Sequence, residues 1–381
     1  MVINNFKWLF KVGFSVILIL IILLTPMKWF STSADALESS YIISGNYYYI
    51  KNVNSGKYLT VSTDVANDGD NVYQYRYEGT ARQRWKLTYN SSPGTFSGFY
   101  RITSAVAANK CLSTVSAQST NGINIVVKYI DPDVKQFFRI TDNDNFSHAI
   151  YTNGSNCMKI VAVQGGSCSD TANVYQSTYN QTGSDQWLIE PATGYNATYA
   201  AQYALDNYDD HLKTYPNCEN LRGDCANFVS QCLAAGGYHY QGNWNVNKIN
   251  NVNPAPSNTT ELDDSWELSD PSSWISAKYF KYYWQQHVSY NDFTVNDILQ
   301  SQATSSTNYV KGDVVQILEY NFGWGYVGVH TMIISQQPSN FNDKANYKVS
   351  YHSSPSYNKL LSTVLNHYVN GDYKVRFYNF T

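Results

Sequence analysis

Hydrophobic and polar positions follow two rhythms along this chain, and the change falls near residue 191. From about 46 to 190, short runs of alternating apolar and polar residues are separated by turns such as Asn54-Ser55-Gly56 and Asn67-Asp68-Gly69-Asp70. That is the pattern of brief, half-buried strands. It recurs with a period of about 50 residues. Trp85, Phe138 and Trp187 close three units, and Asn71, Asn124 and Asn173 each stand 14 residues before them. Lys57-Tyr58-Leu59, Lys110-Cys111-Leu112 and Asn156-Cys157-Met158 open an apolar strand in each unit. No single unit can bury its apolar face alone. Packed around a pseudo-threefold axis the three share one core, which predicts an all-β β-trefoil over 42–190.

Past the linker Pro191-Ala192-Thr193-Gly194 the rhythm becomes helical. Ala200, Tyr203, Ala204 and Tyr208 share one face of a helix expected over 197–212. A second helix starts at Cys225: Asp224 stands where a cap belongs, Phe228, Val229, Cys232 and Leu233 recur at helical spacing, and Gly236-Gly237 supplies the stop. Residues 273–284 read as a third helix packed on a sheet. Trp244, Trp266, Trp274 and Trp284 are expected partly in the core, with some of these rings along a substrate groove. Residues 330–334 and 347–352 read as strands. An antiparallel hairpin around a loop at 336–346 would be symmetric about position 341, setting His330 beside His352.

At the N-terminus, Lys7 and Lys11 precede an apolar run over 12–24, followed by Ala34-Asp35-Ala36. This is the layout of an export signal over 1–36, expected to be cleaved rather than kept as an anchor. The protein is therefore expected to be secreted or associated with the cell wall of a bacterium. Without Lys7, Lys11, Lys28 and Asp35 the net charge moves from −3 to −5. With no basic patch, nucleic acid is excluded as a partner. Charged residues make up 14% of the chain, against about 25% in ordinary globular proteins. Asn, Ser, Thr and 34 tyrosines fill the gap, a surface suited to neutral, hydroxyl-rich ligands.

The candidate chemistry centres on Cys225. In the first turn of a helix, unpaired N–H groups and the macrodipole favour a thiolate. His330 is the expected base and His352 the residue that orients it. A bridge between Cys218 and Cys232 would leave Cys225 free, and Cys157 with Cys168 could bridge a hairpin across Gly165-Gly166. Cys111 is expected in the core as a free thiol. His211, His239 and His287 are expected at the surface. With neither a His-x-x-x-His nor a Cys-x-x-Cys pair, no metal and no cofactor is expected.

Two family resemblances sharpen this. Gln83-Arg84-Trp85, the degraded Gln136-Phe137-Phe138 and Asp185-Gln186-Trp187 resemble the Gln-x-Trp signature of ricin-type lectins. The resemblance implies sugar pockets built from an acidic or amide residue, a ring and an Asn or Gln. The candidates are Asp64, Asn71, Gln74 and Tyr75 in the first unit and Asn173 and Gln176 in the third; Val127 argues against a full pocket in the second. Asn71, Asn124 and Asn173 can equally serve as turn residues. Asp224-Cys225-Ala226-Asn227-Phe228-Val229-Ser230-Gln231-Cys232, Lys311-Gly312-Asp313-Val314-Val315-Gln316, His330-Thr331-Met332-Ile333-Ile334 and Tyr351-His352-Ser353 resemble the putative amidase domain. That is a papain-like group related to the NlpC/P60 and CHAP cysteine hydrolases. It implies an α+β hydrolase fold over 195–381 and cleavage of an amide in peptidoglycan. The protein is separately expected to be a monomer without protein partners. A peptide endopeptidase, a non-catalytic carbohydrate-binding or adhesion protein, and acyl transfer of the transglutaminase type are the alternatives. The stretch Asn321-Phe322-Gly323-Trp324-Gly325-Tyr326 departs from the pattern and is expected to reshape the cleft.

Overall fold

The computed structural model describes residues 42–92, 94–221, 223–249 and 255–381. The chain divides into two units, 1–36 and 37–381; the export signal lies outside the described residues. No described helix is long and apolar enough to cross a membrane.

Each repeat contributes four strands: β1 (Tyr47–Asn52), β2 (Tyr58–Val61), β3 (Val72–Tyr75) and β4 (Arg84–Asn90); β5 (Phe99–Ser104), β6 (Lys110–Thr114), β7 (Ile123–Tyr129) and β8 (Phe138–Asp142); β9 (His148–Thr152), β10 (Ile160–Val163), β11 (Val174–Ser177) and β12 (Trp187–Pro191). First and fourth strands pair within each unit, and β4, β8 and β12 pair with the first strand of the next unit. The ring β1-β4-β5-β8-β9-β12 therefore closes into a barrel without free edges. The hairpins β2-β3, β6-β7 and β10-β11 complete a β-trefoil.

The repeated residues account for this symmetry. Trp85, Phe138 and Trp187 are fully buried. The Trp85 Nε1 donates to Leu59 O (2.9 Å) and the Trp187 Nε1 to Val161 O (2.8 Å); Phe138 keeps the volume and loses the bond. Asn71, Asn124 and Asn173 form a closed ring, each amide donating to the next at 2.8–3.0 Å. They tie the three units together at the pseudo-threefold axis.

The C-terminal half is mixed α/β. Helices α1 (Ala197–Asp206), α2 (Cys225–Ala235), α3 (Thr259–Ser265) and α4 (Ala277–Trp284), with the small β13 (Val246–Lys248) and β14 (Trp266–Leu268) pair, precede a six-stranded antiparallel sheet. Its strands are β15 (Ser289–Thr294), β16 (Val314–Asn321), β17 (Gly325–Gln336), β18 (Lys348–Tyr351), β19 (Ser356–Leu360) and β20 (Tyr373–Asn379), in the order 15-20-16-17-18-19. Short α5 (Val295–Leu299) and α6 (Leu361–Leu365) cover one face with Met332, Ile334 and Tyr351. Helix α2 is buried at every position, with its polar Asn227, Ser230 and Gln231 hydrogen-bonded to neighbours; it touches both β17 and the trefoil strand β12. The four tryptophans expected partly in the core are no more than 2% exposed, and none lines the cleft beside Cys225.

The halves meet through a buried polar knot. Lys51 from β1 donates to Tyr215 Oη (2.9 Å) and Tyr240 Oη and lies 3.5 Å from Glu190. Tyr58 Oη donates to the other Glu190 oxygen at 3.1 Å. His239, expected at the surface, packs edge-on against Tyr49 here, and burial lowers its pKa to about 4.

Candidate active site

All six cysteines are unbridged. Neither the Cys218–Cys232 nor the Cys157–Cys168 bridge forms; Cys168 instead turns toward the Asn54 amide at 3.5 Å. Cys111 is buried as expected, and burial raises its thiol to about 12. Cys225 is 8% exposed at the first position of α2.

Asp224 does not cap α2, contrary to expectation. Its Oδ1 accepts from Cys218 N–H (2.8 Å) and Asn227 Nδ2 (2.7 Å), and its Oδ2 meets His352 Nδ1 at 2.6 Å. The Asp224 N–H in turn donates to Ser353 Oγ at 2.6 Å. The preceding Gly223 has φ +101, and a Cβ there would stand 3.0 Å from the same Oγ, so glycine meets both constraints. With Asp224 turned aside, no cap occupies the first N–H groups of α2, and they remain available to the sulfur or a substrate oxygen.

His352 is 1% exposed, stacks on Phe228, and points Nε2 at Asn207 O (2.9 Å). Its two ring nitrogens thus face a carboxylate oxygen and a backbone carbonyl. His211, expected at the surface, is 24% exposed and brings Nδ1 within 3.6 Å of Asp224 Oδ2. His211, Asp224 and His352 thus converge in the manner of metal ligands. The 2.6 Å contact is nevertheless a hydrogen bond, whereas tetrahedral ligands about 2.0 Å from a zinc ion sit roughly 3.3 Å apart. The residues fit a clamp better than an ion.

The predicted hairpin forms, shifted by one position. Ile333 pairs with Ser350 and Ile334 with Val349, so the centre lies half a residue beyond 341. In a strand, that slip moves a side chain to the opposite face. His352 therefore lies with Asp224 and Phe228, and the ring found against His330 is that of Tyr351, edge-on at 4.6 Å. The expected contact between His352 and His330 is replaced by this one. Tyr351 Oη in turn accepts from Lys359 Nζ at 3.3 Å.

Strand β18 stops at Tyr351, leaving β17 open on that side from Thr331 back toward its start. The Ile334 N–H points at Asp313 on the β16 side, so by alternation the Thr331 N–H points into the gap. The Cys225 thiol lies close enough to this N–H for it to favour the thiolate. The nucleophile candidate thus meets the peptide immediately after His330. A bulge at Val329, where Ile317 pairs with His330 and Leu318 with Gly328, re-aims the strand here.

Burial dominates the electrostatics. It raises the Cys225 thiol, an effect Asp224 reinforces and the N–H groups of Thr331, Ala226 and Cys225 oppose. This reverses the lowered pKa expected from the helix start. Burial also depresses His330 to about 4, with Lys359 adding to the shift. At neutral pH the site holds a neutral imidazole and a protonated thiol. A cleft of about 720 Å³ opens beside Cys225, walled by Leu221, Leu262, Ile275, Lys278 and Val329.

In the trefoil, Gln74 and Gln176 are fully buried, and both amides are spent on the protein. Gln74 bonds Ser55 Oγ and the carbonyls of Ser167 and Ser169; Gln176 bonds Thr152 Oγ1 and the carbonyls of Gln118 and Thr120. Neither presents an atom to a ligand, and Asn71 and Asn173 belong to the axial ring, which corrects four of the six expected sugar contacts. Asp64 is exposed and Tyr75 half-buried beside Tyr73. The identical offsets that disclosed the repeat also mark residues that hold it together.

No curated protein sequence matches the chain. Among solved structures, the designed three-fold symmetric protein ThreeFoil is 29% identical, covering 38% of this chain and 96% of its own, with a TM-score of 0.34. The Rhizoctonia solani agglutinin is 18% identical over 39% of this chain and 97% of its own, TM-score 0.35. The Macrolepiota procera ricin B-like lectin, solved with lactose, is 19% identical over 39% and 98%, TM-score 0.33. A ricin-type beta-trefoil lectin domain-like model matches residues 39–97, and a model described as a putative amidase domain matches residues 194–378. The chain thus joins a ricin-type β-trefoil, lectin-like region to a putative amidase domain.

Proposed function

We propose that this is an exported, papain-like cysteine amidase that cleaves an amide bond in cell-wall peptidoglycan while its trefoil holds the polysaccharide. The supporting observation is the unbridged Cys225 at the start of α2, near the Thr331 N–H that follows His330, at the wall of a large cleft. The neutral imidazole takes the thiol proton as the sulfur attacks the amide carbonyl. First-turn N–H groups of α2 receive the negative oxygen. The carbon–nitrogen bond then breaks, and the imidazolium returns its proton to the leaving amine. Water, deprotonated by His330, hydrolyses the thioester and restores the thiol. Asp224 and His352 fix the start of α2, and Tyr351 packs the His330 ring. The trefoil raises the local concentration of cleavable bonds.

The raised thiol favours a general base over a preformed thiolate–imidazolium pair, and it also keeps the non-catalytic, adhesion reading in play. Purified wall treated with the protein separates the two. Wild type is expected to release new amine and carboxyl termini, and Cys225→Ala to release none while still sedimenting with wall polysaccharide. Equal release by both proteins would refute the mechanism. Mass spectrometry of the fragments identifies whether the bond is muramoyl–alanine or peptide–peptide.

A further inference from the structure

Of the described residues that line the cleft beside Cys225, Lys278 alone is ionised. The Glu261 carboxylate accepts from Ser257 and Asn258 of that lining. Lys278 has no carboxylate partner among the described residues. Its Nζ instead stands 3.7 Å from the centre of the Trp324 ring. Trp324 and Phe322 belong to the turn between β16 and β17 and are 62% and 95% exposed. This is the stretch that departs from the amidase pattern in the sequence.

The placement of Lys278 works against helix stability. It occupies the first turn of α4, where the backbone end is already positive and an acid would be favoured. No neighbouring acid offsets that cost, and the aromatic contact fixes the ammonium without neutralising it. A cation held at a partly apolar cleft whose described lining residues include no acid is arranged for an anionic ligand.

We propose that Lys278, steadied by Trp324, binds a carboxylate on the substrate close to the scissile amide, so that the preferred substrates are acidic peptides. This deepens the assignment of Cys225 as nucleophile and rests on it. Lys278 is a binding residue, and its expected effect is on selectivity between charged and neutral ligands.

Two measurements on the full chain test it. The first compares digestion of native wall with wall whose peptide carboxylates have been converted to carboxamides. Wild type should prefer native wall by about five-fold, the scale of one half-exposed ion pair. Lys278→Gln should bring the ratio near one, and Lys278→Arg should restore it. The second needs no turnover: alkylation of Cys225 by anionic iodoacetate and neutral iodoacetamide at pH 9, read by mass spectrometry of the Cys225 peptide. The iodoacetate-to-iodoacetamide rate ratio should fall about five-fold in Lys278→Gln and further in Lys278→Glu. Ratios that are the same in all variants overturn the proposal, as does a Cys225 that neither reagent reaches. If Cys225→Ala still digests wall while the alkylation ratios behave as expected, the cleft's anion preference stands and the nucleophile assignment fails.

Discussion

At the scale of single residues, His330 and Cys225 are tuned by burial more than by charge partners. The consequence is a pH profile. An imidazole depressed to about 4 stays unprotonated, and so competent as a base, well below the ordinary histidine range. The acid limb of kcat/KM is expected near pH 4 to 5 rather than 6.5, measured on a soluble fragment across pH 3.5–8. The same shift has a stability sign. Folding favours the neutral ring, so its contribution is complete above the unfolded value and is lost as pH falls toward 4. An acid limb at 6.5 or higher would show that the ring is solvated and that the cleft is more open than described. A helix start and an apolar run are what mark Cys225 and His330 as candidates in the sequence. Their pKa values are not marked there, since burial depends on which distant segments cover them.

At the scale of elements, the hairpin teaches how far sequence symmetry reaches. The two strands of residues 330–334 and 347–352 were evident from their apolar runs. The pairing was off by one residue, because the turn between them is long and its internal geometry sets the register. That single step sends His352 to Asp224 and Tyr351 to His330. The Asp224 side chain was legible as polar and adjacent to a helix start, yet its real partners are 128 residues away at His352 and six residues back at Cys218. In the trefoil the reverse holds: offsets of 14 residues disclosed the fold, while burial of Gln74 and Gln176 was invisible to them. A prediction belongs here. His352→Leu removes the partner of a fully buried carboxylate and should cost about 3 kcal/mol in urea unfolding. Its kcat should also fall, because the start of α2 loses its anchor. Unchanged stability would show that the Asp224–His352 bond does not hold the helix start.

At the scale of the whole molecule, the trefoil and the C-terminal half are joined by Lys51, Tyr58, Glu190, Tyr215 and Tyr240. The Lys248 ammonium adds a bond of 2.7 Å to the Asn54 carbonyl across the same seam. Breaking a buried ion pair by removing one partner is costly, since the other charge stays desolvated. Wild type is expected to melt in one calorimetric transition. Lys51→Met leaves Glu190 unpaired and should separate the melt into two, with the trefoil and the C-terminal half unfolding in turn. A single, unshifted transition in that variant would mean the two halves are coupled elsewhere. The change of rhythm near residue 191 is local and readable in the sequence, but a shared interface draws on residues from 51 to 248, which no local pattern connects.

The most direct test of the account is to trap the acyl-enzyme. Wild-type protein mixed with soluble wall fragments and quenched in acid within a single turnover should carry a mass increment equal to the acyl half of the fragment, mapped to the Cys225 peptide. The increment should be absent in Cys225→Ala and persist longer in His330→Ala if any forms. Turnover that proceeds with no adduct on Cys225, or an adduct mapped to another residue, would contradict the central claim.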